Sequence, residues 1–574
     1  MILLYIRRKP TDMELKSKPR TKAQEATMAI ERIYITMRHL FNRGYYKPMG
    51  VSGTTLREGL LALQPEIYGT MAEEKVELNG MVYVLDRLPA GIEECSIINL
   101  TSSEGYNSDS FSPIIPEKRR RNCYRIDQDQ MNIEITRGRS DIYDILTHLT
   151  FLFIESHKIA KRIAEQQEQG IGNDWEKVKK IALNPSPNQQ EIDVALAHTA
   201  NIIGRTFEET KGFSEQLATE KHPLKFLKII YWLAKHGLDE LNDVNKRSIT
   251  FSPILRERLG HHIHGEIWAD NIKEQLESQR LLGRTIHIIS ANMHSVMNCL
   301  FAKQVLSSEF GTDEYAIYEL LSKPENSLLR NKVSEFAEKN GMIFIKDSSG
   351  TNIDVQLFDL SKVNLNHCFL HEEKSALISN ESVLIVMDYA FGEQAFETLD
   401  ELLKPYKKDK NNPLSLDVAS VSIMGKAGIL SGDKGDIMIP TSHIFEGTAD
   451  NYPFKNKFSG KLFNDLGFNT VEGTMITVLG TSLQNREMLS YFKKSSWGVV
   501  GLEMEGAHYQ KAIQAAAKIR KNIRENVELR YAYYASDNPL ETGKTLASGG
   551  LGLTGVKPTY GITLEILKQI LELD

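Results

Sequence analysis

From about Ser375 onward the chain repeats one pattern: a short, mostly apolar run, a glycine-rich or acidic turn, then a helix-like stretch. The runs are Val383–Met387, Val418–Ile423, Asp436–Ile439, Thr474–Leu479, Val499–Leu502 and Leu529–Ala535. Strands that do not alternate polar with apolar residues need cover on both faces. Their alternation with helices predicts an α/β domain built on a mixed, largely buried sheet.

Upstream, the periodicity is helical. Thr21–Phe41 places Ala26, Ile30, Ile33, Met37 and Leu40 on one face, and a long helix is expected from Ser140 to about Gln169. Asn184-Pro185-Ser186-Pro187-Asn188 breaks two further helices. Thr285–Ser290 reads as a strand running into a helix, and Gly341–Phe358 as a hairpin. The expectation is a multidomain protein with a mostly α N-terminal part. Its divisions are a helical, loop-rich 1–135, a mainly helical 136–374 and the α/β domain 375–574. The stretch Asn99–Arg125, with Glu117-Lys118-Arg119-Arg120-Arg121, is expected to be a solvated surface loop.

Charge excludes some roles. With 69 Lys and Arg against 75 Asp and Glu the net charge is −6, so no global field draws the chain to nucleic acid or anionic membrane. No apolar stretch approaches the eighteen or so residues that span a bilayer. Cys95, Cys123, Cys299 and Cys368 lie far apart, as reduced buried thiols would. A cytoplasmic location is expected, with no cofactor and no metal. His261-His262-Ile263-His264 lacks the four-residue spacing of helical metal ligands. Gly543-Lys544-Thr545 fails as a P-loop because Asn538 stands where the first glycine belongs.

Four segments of the last third carry chemistry. Val383–Met387 runs into Asp388-Tyr389-Ala390-Phe391-Gly392-Glu393, which places acids beyond a strand's carboxyl end, where sheet ligands bind. Met424-Gly425-Lys426-Ala427-Gly428 reads as a glycine turn able to approach an anion or a sugar. Glu503-Met504-Glu505-Gly506-Ala507 joins a strand to an alanine-rich helix with two carboxylates in a partly buried turn. Leu529–Ala535 ends in Ser536-Asp537, either an Asx turn ahead of Pro539 or an acid poised to protonate a leaving group.

In that order the segments resemble the nucleoside phosphorylase and nucleosidase superfamily, closest to the methylthioadenosine/S-adenosylhomocysteine and AMP nucleosidases, over Ser375–Asp574. The resemblance implies that Asp537 protonates N7 of a purine, that Glu505 holds the ribose hydroxyls and that Met504 packs on the sugar. The carboxylate after the family's first strand activates water; it falls on Glu393, with Asp388 as rival. Leu483 and Gln484 fall where the base pocket is lined. Glu503, Gly425, Lys426, Ser536 and Arg486 complete the implied substrate contacts, the two cations holding a 5′-phosphate or a phosphate nucleophile. The implied activity is hydrolysis of a purine N-ribosidic bond by a homo-oligomer. Two alternatives stand: phosphorolysis, and a non-catalytic nucleotide sensor. Gly549, Gly550, Gly552 and Gly555 are expected to cover the pocket as a loop.

Overall fold

The computed structural model describes residues 20–104, 111–119, 121–170, 173–220, 222–370, 380–407, 413–448, 450–541 and 552–572. Gly549, Gly550 and Gly543-Lys544-Thr545 lie outside them. The first helix, Lys22–Arg43, starts at a capping box in which Thr21 and Gln24 satisfy each other's backbone N–H groups, and it ends on Gly44 in the left-handed region. The periodic residues Ala26, Ile30, Ile33, Met37 and Leu40 are its buried face. The helix Gly138–Glu168 is 31 residues long and buries most of its first half, so it runs through the middle of the N-terminal part rather than over its surface.

That part is not purely helical. Strands β1 (Tyr45–Tyr46), β2 (Ile97–Thr101), β3 (Cys123–Asp127), β4 (Gln130–Glu134) and β5 (Ser248–Phe251) form a sheet in the order β1-β5-β2-β4-β3. Because β5 pairs with both β1 and β2, the expected division at 135/136 cuts through this sheet.

The second sheet holds β6 (Thr285–Ser290), β7 (Met342–Ile345), β8 (Val355–Asp359), β9 (Val383–Met387), β10 (Asp417–Ile429), β11 (Ile437–Phe445), β12 (Asn451–Pro453), β13 (Thr470–Thr477), β14 (Val499–Glu503) and β15 (Glu528–Asp537). Its order is β12-β11-β13-β14-β10-β6-β9-β8-β7, with β15 paired to both β10 and β11. The α/β fold therefore begins near Thr285, and the expected boundary at 374/375 falls between β8 and β9, which pair along their whole length. The expectation failed because β7 and β8, an isolated hairpin by sequence, gain their cover only from tertiary pairing. The pairings β10–β14, β14–β13, β13–β11, β11–β15 and β15–β10 close a ring of five strands.

Two apolar cores cover the faces of this sheet, and a third joins it to the N-terminal helices. In the third, Ile444, Val478, Leu483, Met488, Leu502 and Met504 sit in one continuous cluster with residues of the Lys22–Arg43 and Gly138–Glu168 helices. The N-terminal part is thus seated on the ends of β11, β13 and β14.

The Asn99–Arg125 stretch departs from expectation. Arg121 is 3% exposed, with one guanidinium nitrogen 2.9 Å from both Asp141 and Asp144, and Arg119 makes two 2.9 Å bonds to Asp144. Burial alone would raise the Asp144 carboxyl; the facing His148 and Arg119 outweigh it and hold the group well below the usual carboxylate range. The basic run anchors the long helix. Arg121→Met leaves the buried Asp141 without its ion-pair partner and removes one of the cations on Asp144, and is expected to cost about 3 kcal/mol, whereas Arg119→Met, on the more open side, costs less. Chemical denaturation of both variants checks the order.

Candidate functional site

Asp537 ends β15 beside Gly428 of β10 and is 1% exposed. The Ser536 hydroxyl lies 2.6 Å from its Oδ1, and among the described residues its Oδ2 has no hydrogen-bond partner. Burial pushes this carboxyl up to about 6, against the charges of Lys434 and Lys426. A buried acid with one free oxygen and a pKa near neutrality suits proton donation.

Glu505 follows β14 at the start of the helix Gly506–Gln514. Its Oε1 accepts the Gly392 N–H at 2.9 Å and its Oε2 the Met504 N–H at 3.3 Å. Burial raises it to about 7, and Arg137 and Lys426 act in the other direction. The exposed Lys426 charge thus acts weakly on both Glu505 and Asp537.

The other predicted residues separate. Glu503 is consumed by the turn itself, its carboxylate accepting the N–H groups of Glu505 and Gly506 and the Thr477 hydroxyl. Burial first, then the Glu505 charge, pushes it up to about 8. It holds the Glu-Met-Glu turn rather than a ligand. Gly425 does not lie in a turn: Met424–Gly428 continues β10, with a register shift at Ala427/Gly428. The glycines let strands approach at this bend; a Cβ on Gly428 would meet Leu502 at 3.0 Å. Leu483 is buried in the core beneath the long helix, and Gln484 is buried with its carbonyl bound to the Glu66 N–H. Arg486 donates to the Leu540 carbonyl at 2.7 Å and so clasps the segment after Asp537.

Glu393 requires the largest correction. Its carboxylate pairs with Arg139 at 3.0 Å and its N–H donates to the Ser140 hydroxyl at 3.0 Å, so it ties the Gly392 turn to the first turn of the long helix. The first strand of the α/β sheet in chain order is β6, and the turn beyond its carboxyl end is Ala291–His294. That turn carries His294, whose pKa burial lowers while Asp388 raises it. Asp388 otherwise accepts the Tyr389 N–H at 2.8 Å.

Sequence reasoning missed what the N-terminal part supplies. Ser140, Tyr143, Asp144 and Thr147, on one face of the long helix, line a cleft with Phe391, Leu483 and Met504. A second cavity of about 150 Å³ lies between Tyr34, Arg38 and Tyr143 on one side and Glu393, Glu446, Met504 and His508 on the other. Glu446 was legible in principle: it directly follows the apolar strand β11, much as Asp537 closes β15. His264 is engaged by Ser102 and the Ser349 carbonyl. Among the described residues no cluster of His, Cys, Asp or Glu is arranged to hold a metal ion, and no helix is long and apolar enough to cross a membrane.

The model of a family described as Family of unknown function (DUF6909) matches residues 54–310 and 312–572, and the chain belongs to that family. No curated protein matches it. Among solved structures, a futalosine hydrolase mutant of Helicobacter pylori is 12% identical, covering 51% of this chain and 98% of its own with a TM-score of 0.27. A 5′-methylthioadenosine/S-adenosyl homocysteine nucleosidase of Campylobacter jejuni is also 12% identical, over 51% and 100%, at 0.29. The Helicobacter pylori MTAN is 13% identical over 50% and 100%, at 0.29. At such identity and score, the activity has to be read from this chain's own side chains.

Two outcomes follow from the geometry. Gly392 sits at φ +57°, and a Cβ there would fall 2.2 Å from the Ser140 hydroxyl. Gly392→Ala is expected to destabilise the fold by about 2 kcal/mol and to free Glu505, read as a drop in thermal midpoint beside weakened ligand binding. Glu397, Glu446 and Glu503 are all raised by burial to about 8. They keep protons in the fold that the unfolded chain releases near pH 4, so their contribution is full below about pH 4 and is lost as pH rises through 8. Glu397→Gln is expected to flatten the decline of the thermal midpoint between about pH 5 and 8.

Proposed function

We propose that the chain is an N-ribosidase that hydrolyses the N-glycosidic bond of a purine nucleoside or nucleotide. The observation that carries this reading is Asp537: a buried strand-end carboxyl with a free oxygen and a pKa pushed up to about 6, in a domain that also carries a second raised carboxyl at the strand–helix junction, Glu505. Cleaving a ribosyl C–N bond passes through an oxocarbenium-like state in which the sugar turns cationic and the base anionic. Asp537 gives its proton to the purine N7 as the base leaves with the bonding electrons. Glu505 binds the ribose hydroxyls and offsets the charge growing on the sugar. Water adds to the anomeric carbon and gives up its proton to solvent. Glu393 takes no part in the chemistry; with Arg139 it fixes the turn whose Gly392 amide orients Glu505.

A second reading, phosphorolysis, is favoured by one observation: two cations, Arg137 and Lys426, act on Glu505, and a phosphate nucleophile needs cations to hold it.

Chromatography of incubations with AMP, adenosine, methylthioadenosine, inosine and guanosine, with and without phosphate, separates the readings. Base release without phosphate is expected. Release only with phosphate establishes the phosphorylase, and no release from any substrate leaves a sensor. Asp537→Asn is expected to lower kcat/KM by at least about 100-fold. Because the acid must hold its proton, kcat/KM is expected to fall as pH rises through about 6.

A further inference from the structure

The cavity between the N-terminal helices and the α/β domain has no role in the chemistry above, yet it adjoins it. Met504 lines it, and so does Glu393, whose neighbour Gly392 holds Glu505. Two of its lining side chains carry orphaned polar atoms. Tyr143 Oη and Glu446 Oε1 are both buried, and among the described residues neither has a hydrogen-bond partner. Leaving such groups unpaired costs about 1–3 kcal/mol each, a cost that a bound ligand removes. The Glu446 Oε2 accepts the Leu479 N–H at 3.1 Å, so the orphaned oxygen is the one remaining for another partner.

The sign of the cavity is also legible. Arg38 and Lys511 stand exposed on its lining, Arg38 beside the Tyr34 ring and Lys511 over Phe396, and no carboxylate pairs with either among the described residues. Burial raises Glu446 to about 8, so at neutral pH it offers a proton rather than a charge. His508, lowered by burial to about 4, is neutral. Of the acids, Glu393 is matched by Arg139, and Asp450 lies exposed at the rim. The cavity thus presents unmatched cations and neutral donors, the complement of an acceptor-rich anion. At about 150 Å³ it is smaller than a pocket for a whole nucleoside but large enough for one substituent.

We propose that this cavity binds an anionic group, a carboxylate or a phosphate, carried on the sugar side of the nucleoside, so that the N-terminal helices select the substrate through Arg38, Tyr143 and Glu446. The inference rests on the ribosidase reading for the placement of the sugar, while its test reads binding.

In an Asp537→Asn background, which limits turnover, calorimetry compares AMP, adenosine 5′-carboxylate, adenosine and inorganic phosphate. AMP or the carboxylate is expected to bind at least about tenfold more tightly than adenosine. Arg38→Met and Tyr143→Phe are each expected to reduce that ratio severalfold, Tyr143→Phe keeping the ring and so the packing. Equal affinity for charged and neutral nucleosides overturns the proposal, as does a ratio that both substitutions leave intact or the absence of nucleoside binding. Inorganic phosphate that binds as tightly as AMP also overturns it, because the anion is then free rather than carried. Charge-selective binding without base release from the unsubstituted protein removes the ribosidase and keeps the pocket. Base release without charge selectivity does the reverse.

Discussion

The amide of Gly392 donating to Glu505 is the bond on which the rest of the site depends. Glu505 is partly buried, and a carboxylate in that position is tolerated best where donors meet it. Its donor belongs to a turn that could not hold its shape alone. Gly392 needs a left-handed backbone, and the next residue is fixed twice, by Arg139 through its side chain and by Ser140 through its N–H. Both of those come from the first turn of the Gly138–Glu168 helix. The position of an acid in the α/β domain is therefore set by a helix that belongs to another part of the chain.

The same economy governs charge. Burial raises Asp537, Glu446, Glu503 and Glu505, all at or just after strand ends. The fold keeps them there by giving each a few donors and no full counterion, which leaves neutral or partly ionised acids able to exchange protons. Where the molecule needs anchoring instead, it pairs acids outright, as Asp141 and Asp144 with Arg121. A neutral acid and a paired acid are different tools, and the structure separates them by whether a guanidinium reaches them.

Much of this was legible in the sequence because it rests on local pattern. The strand Val383–Met387 has the bounds its apolar run predicted, and the helix Lys22–Arg43 follows its buried stripe. Asp537 at a strand end and Glu505 at a strand–helix junction needed only an apolar run and the acid after it. What failed depended on partners distant in sequence. Met424–Gly428 read as a turn because glycines break strands locally, but pairing with β15 carries β10 through them. Glu393 read as a base because nothing nearby in sequence reveals Arg139, 254 residues away. The α/β boundary was set too late because Thr285–Ser290, apolar but isolated between helices, shows its place only beside β9 and β10.

The closed ring of β10, β14, β13, β11 and β15 has a consequence for how the protein is made. Its last member, β15, is also the strand that seats between β10 and β11 and carries Asp537. Until more than 500 residues have left the ribosome the ring has a gap, and Lys426 and Glu505 have no acid opposite them. Closure joins segments about a hundred residues apart, a slow step because loop entropy must be met before the pairing repays it. Closing the ring is also what brings Asp537 to its place beside Gly428, so a chain that ends before Glu528 lacks both the fifth strand and the acid.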